Sequence, residues 1–108
     1  WSLFPNEMKR LIANIKNINA RTIIISGDRH KAAIYNDNNL FEVTSSSMNR
    51  PIKANVIMRA DETDALMVGK VFNKENYGLL VIDSKFKTLQ MSIKNIDGNV
   101  VSSVDLKL

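Results

Sequence analysis

The stretch Thr22-Ile23-Ile24-Ile25-Ser26-Gly27-Asp28-Arg29-His30 decides how this chain is read. A short β-branched apolar run that halts at a glycine has the length and composition of a fully buried strand. Asp28, Arg29 and His30 follow at once, and His30 is the only histidine in the chain. In α/β sheets, ligands gather outside the carboxyl ends of the strands, where loops present side chains without disturbing the core. Gly-Asp-x-His at such a place is a candidate metal or catalytic site. One carboxylate and one imidazole are half of it, because a catalytic divalent ion usually takes three or more protein ligands. For acid–base work His30 has a suitable unperturbed pKa, and Asp28 could orient it. Ser26 is a conceivable nucleophile, although no Gly-x-Ser-x-Gly elbow surrounds it. The plain alternative is a histidine that only hydrogen-bonds its own turn.

Upstream, Met8, Leu11, Ile12, Ile15 and Ile18 recur at helical spacing and form one apolar stripe. Pro5 suits the first turn, Glu7 favours the positive end of the helix dipole, and Lys9, Arg10 and Lys16 fall on the polar face. The expectation is an amphipathic helix packed on a sheet by its isoleucine stripe. Downstream, residues 31–35 could form a short helix or a strand. Asn36-Asp37-Asn38-Asn39 is dense turn chemistry, and Leu40-Phe41-Glu42-Val43-Thr44 alternates like a strand, so a β-hairpin is the favoured reading. The polar loop that follows, 44–51, would lie near residues 27–30 if the two strands end on the same side of the sheet. Its hydroxyls, that of Ser46 among them, and Asn49 and Arg50 could then bind an anion such as phosphate. Serine-rich loops also form for purely local reasons.

Residues 52–75 read as an irregular excursion around Asp61, Glu62 and Asp64, an acidic patch without a complete metal-ligand set. From residue 76 onward the pattern is clear. A continuous apolar run over 78–82, strict alternation at Leu89, Met91 and Ile93, an Asp97-Gly98 turn, and Val100, Val104, Leu106 and Leu108 in one parity predict an antiparallel three-stranded meander. The chain thus divides into 1–51, 52–75 and 76–108, within one structural unit.

The totals narrow the function classes. The chain has 108 residues and no cysteine, so one domain is expected and thiolate chemistry is excluded. The net charge of +4 comes from scattered lysines and arginines not interleaved with aromatics, which argues against nucleic acid as a partner. No apolar run approaches the roughly 20 residues that span a bilayer. The first residue is Trp1 rather than methionine, and a missing N-terminal portion is expected.

Taken together, Ile24-Ile25-Ser26-Gly27-Asp28-Arg29-His30 and Leu40-Phe41-Glu42-Val43-Thr44-Ser45-Ser46-Ser47 resemble the C-terminal portion of PhoD-like alkaline phosphatases, a bacterial branch of the calcineurin-like metallophosphoesterases. The Phe4-Pro5 lead into the helix, Asn76-Tyr77-Gly78 before a strand and the closing Asp97-Gly98 hairpin agree with it. The similarity covers most of the chain outside about 52–70. It implies an α/β fold, here an α+β fragment of a metallophosphoesterase-type sandwich followed by the meander. It also implies hydrolysis of phosphate esters at a centre of two or more divalent or trivalent metal ions, which polarise the phosphoryl oxygen and supply a hydroxide.

In the wider superfamily a Gly-His-x-His motif closes the metal site; here, as in the PhoD-like branch, Asp28 stands in place of the first histidine. By that match Asp28 and His30 are metal ligands, or Asp28 is a carboxylate supporting His30, and Arg29 between them either contacts phosphate or points away from it. The remaining ligands of the family, from Asp-x-His, aspartate and Asn-His elements, have no counterpart among these residues. The implied protein is therefore a C-terminal segment that is inactive alone, with the rest of the polypeptide as its first partner and an exported location by family habit. An exposed apolar sheet or helix face and self-association through it are expected as well. The other readings are a non-catalytic binding domain that keeps the phosphatase scaffold, and a helix-plus-sandwich interaction module without chemistry.

Overall fold

The computed structural model describes residues 3–18, 20–51 and 64–108. Among the described residues the architecture is α+β: one helix, α1 (Pro5–Asn17), and seven strands in two sheets. The strands are β1 (Thr22–Ser26), β2 (Ala32–Asp37), β3 (Leu40–Ser45), β4 (Met67–Phe72), β5 (Asn76–Asp83), β6 (Thr88–Asn95) and β7 (Val100–Lys107). The first sheet has the order β1-β3-β2-β4, and the second is the meander β5-β6-β7. No described helix is long and apolar enough to cross a membrane.

The hairpin reading holds. β2 and β3 pair antiparallel, Asp37 opposite Leu40, with Asn38 in the left-handed region at φ 57° where asparagine is tolerated. β3 then inserts between β2 and β1 and runs parallel to β1, in the register Ser26 opposite Thr44. Period-two alternation sends Phe41 and Val43 of β3, and Ala32 and Ile34 of β2, to one face. Leu89, Met91 and Ile93 of β6 meet them from the second sheet, and these seven residues form the core. Ile23, Val68, Phe72, Leu80, Val104 and Leu106 pack around its margin. Sheet on sheet, rather than helix on sheet, closes the interior.

That arrangement corrects the role expected of the helix. α1 begins at Pro5 as its sequence requires, but it has no buried residue; Ile12 and Ile15 are half-buried, while Met8, Leu11 and Ile18 are exposed. The core face of the first sheet is already covered by β5–β7, so the isoleucine stripe has no deep surface left to fill. The C-terminal end of the helix lies near the β2–β3 turn, where Ile15 and Lys16 share a shallow hollow with Asp37, Asn38 and Leu40.

β1 is also not the fully buried strand that its composition promises. It is the terminal strand of its sheet, half-buried for most of its length, and Ile25 is 71% exposed. The excursion read over 52–75 is not irregular throughout, because it contains the strand β4; Asp61 and Glu62 of the acidic patch lie outside the described residues. In the meander, Val104 and Leu106 face the core as patterned, whereas Val100 and Leu108 are exposed at its ends. A register shift at Ile93/Lys94 accommodates the Asp97-Gly98 turn, in which the Gly98 N–H donates to the Asn95 carbonyl and φ is +81°.

Candidate functional site

The parallel pairing of β1 and β3 fixes where the site forms. Both strands end at the same edge of the sheet, so the loop leaving β1 and the loop leaving β3 must meet there. The first loop also has to cross the end of β3 to reach β2 on its far side. In this crossing Asp28 and His30 adopt left-handed backbone conformations, at φ 67° and 53°. Asp and His visit that region more readily than most residues, at a cost of about 1 kcal/mol or more, and such conformations cluster at functional sites.

Contacts between the two loops follow directly. His30 Nδ1 lies 2.6 Å from the Arg50 carbonyl oxygen. A carbonyl can only accept, so Nδ1 carries the proton and donates; in the neutral imidazole this leaves Nε2 with a free lone pair. The Ser46 hydroxyl donates to the Lys31 carbonyl at 3.2 Å, next to His30. Lys31 itself is buried, as are Thr44 and Ser47, whose hydroxyls have no partner among the described residues.

The serine loop is anchored on its other side by β5. The Ser45 hydroxyl donates to Asn76 Oδ1 at 2.8 Å, the Asn76 side-chain amide donates to the Lys74 carbonyl at 2.7 Å, and the Asn76 backbone N–H donates to the Ser47 carbonyl at 3.1 Å. Asn76 is 2% exposed. It is the residue through which the second sheet positions the loop facing His30. The only sequence signal for that role is its place in Asn76-Tyr77-Gly78.

The predicted site residues therefore separate into groups. His30 and Arg50 are joined, but through the Arg50 backbone; Ser46 is engaged with the backbone beside His30. Asn49 lies, with Ser26, Ser45, Ser46 and Tyr77, along an open groove of about 380 Å³ between the end of β1 and the start of β5. Asp28 and Arg29 are exposed. Burial pushes the Tyr35 phenol above its ordinary value; the Arg29 charge opposes that shift, and the carboxylates of Glu42 and Asp64 reinforce it. Tyr35 has the opposite parity to core Ile34 on β2.

The Ser26 hydroxyl donates to Glu42 Oε1 at 2.6 Å, a pairing across β1 and β3 that the sequence did not mark. With Ser26 bound to a carboxylate and His30 bound to a carbonyl, neither is engaged with the other as nucleophile and base.

Among the described residues no group of three or more His, Cys, Asp and Glu side chains converges as a metal site. Asp28 and His30 can supply two donors. Comparison of the chain with family models, with curated proteins and with solved structures finds no match.

Proposed function

We propose that this chain is a C-terminal segment of a metal-dependent phosphoesterase, and that Asp28 and His30 are the motif that closes its metal centre. The observation that carries the reading is His30: at the carboxyl end of a strand in a parallel pair, with Nδ1 held by a backbone carbonyl and Nε2 left to ligate. Metal-bound histidines are commonly fixed in this way through their second nitrogen, which sets the tautomer and the ring orientation. The Ser-Gly-Asp-x-His and Glu-Val-Thr-Ser-Ser stretches that resemble PhoD-like phosphatases are also the two strand ends that meet. The α+β sandwich is consistent with part of a metallophosphoesterase core.

Two donors do not fit a two-metal centre alone, so the remaining ligands would come from other parts of a longer polypeptide. Metal ions in such a centre would polarise the phosphoryl oxygen of a phosphate ester. What this chain's residues do is narrower: Arg50 and Ser46 fix the loop, His30 presents Nε2, and Asp28 offers a carboxylate two residues away.

The 108-residue chain is expected to hydrolyse no aryl phosphate with Mn²⁺, Ca²⁺ or Fe³⁺ present. Robust metal-dependent turnover by this chain would mean a complete site and would contradict the reading. The alternative is a non-catalytic binding domain on the same scaffold; the groove beside the site, whose described lining residues carry hydroxyl, amide and apolar groups and no charged side chain, favours it to that extent. A His30→Ala chain that kept all of its metal binding would support that alternative.

A further inference from the structure

Among the described residues no strand pairs with the outer side of β1, which leaves an unprotected sheet edge. β1 is terminal in its sheet, and Thr22–Ser26 contains no charge, proline or bulge, the usual devices against edge-to-edge pairing. The other terminal strand of that sheet, β4, pairs through a bulge and carries Lys70, and the β7 edge of the second sheet carries Asp105 and Lys107.

We infer that β1 pairs antiparallel with β1 of a second copy of this chain, about a two-fold axis through Ile24. Three observations specify the occupant. The strand reads alike in both directions around Ile24, hydroxyl–Ile–Ile–Ile–hydroxyl, so a two-fold sets Ile23 against Ile25 of the second copy and Thr22 against Ser26. Its hydrogen-bonding parity fits as well: the Thr22 N–H donates to the Asn39 carbonyl on the β3 side, and strand alternation turns the N–H and C=O groups of Ile23 and Ile25 to the free edge. Those are the groups that a two-fold at Ile24 brings into mutual hydrogen bonding, with Ile24 facing Ile24 in the intervening close pair. Charge agrees at both ends, since the same register carries Arg21 of each copy toward Gly27-Asp28 of the other. The pairing also covers Ile25, now 71% exposed. By contrast β5, which is also terminal and apolar, includes Gly78 and does not read alike in both directions.

The inference stands on the β1 edge and not on the phosphatase reading. A longer polypeptide that laid its own strand on β1 would use the same edge, so the test uses the 108-residue chain itself. Sedimentation velocity at high micromolar concentration should give the mass of two chains, and Ile24→Lys should halve it while the far-ultraviolet circular dichroism stays unchanged. Because the chain has no cysteine, Ile24→Cys supplies a second readout. Mild oxidation should link two copies through residue 24, and an Ile82→Cys control on β5 should stay unlinked. A monomeric wild-type chain would overturn the inference. So would a dimer that survives Ile24→Lys, or one that links through residue 82 but not residue 24.

Discussion

At the scale of single residues, His30 and its neighbours carry the proposed function. The sequence marks His30 as a lone imidazole beyond a strand end. It cannot show which nitrogen is free, because that depends on the Arg50 carbonyl twenty positions away and on the parallel register that brings it near. Tyr35 was not singled out by pattern, yet its phenol is raised above its ordinary value, chiefly by burial. A raised phenol means that the folded state holds the proton more tightly than the unfolded one. The stability it contributes is fully present below the ordinary tyrosine range near pH 10 and is lost as pH rises through the higher folded value. Denaturant unfolding followed from neutral to alkaline pH should therefore lose stability in that window, and Tyr35→Phe should remove part of the loss. An unchanged alkaline limb in Tyr35→Phe would show that the phenol is not the group responsible.

At the scale of elements, the hairpin and the meander were legible because their turn residues and period-two alternation agree. Asn38-Asn39 and Asp97-Gly98 sit where the chain reverses, and Leu89, Met91 and Ile93 are the buried parity. The helix was legible as a helix but not in its packing. An apolar stripe says that a face can be buried; it does not say that a second sheet has already taken the surface. The strand β1 was misjudged for a related reason, since an isoleucine run does not distinguish a central strand from an edge. Substitutions separate these cases. Ile93→Ala, in the closed core, should cost about 2–5 kcal/mol. Leu11→Lys, on the exposed helix stripe, should change stability by no more than about 0.5 kcal/mol. Equal costs in chemical denaturation would contradict the placement of the core. Asn76→Ala strips partners from Ser45 and Lys74 and should cost about 1–3 kcal/mol. It should also move the backbone amide resonances of 45–50, because Asn76 holds that loop against β5; a change confined to β5 would refute that coupling.

At the scale of the whole molecule, the two sheets of the described residues enclose a core and leave the β1 edge, the helix stripe and the loop cluster outward. The α+β class was legible in the order of the patterns. The sandwich was not, because nothing local in β6 says that it will face β2 and β3. The loop cluster is where the functional account stands. In the proposed function the loop from 27 to 30 is a metal-ligating motif rather than a structural turn. Two ligands predict weak binding by this chain, well suited to paramagnetic detection. Titration of the 108-residue chain with Mn²⁺, followed by amide and imidazole nuclear magnetic resonance, should broaden the signals of Asp28 and His30 first, and His30→Ala should abolish that broadening. Broadening that begins elsewhere, or that persists unchanged in His30→Ala, would contradict the account.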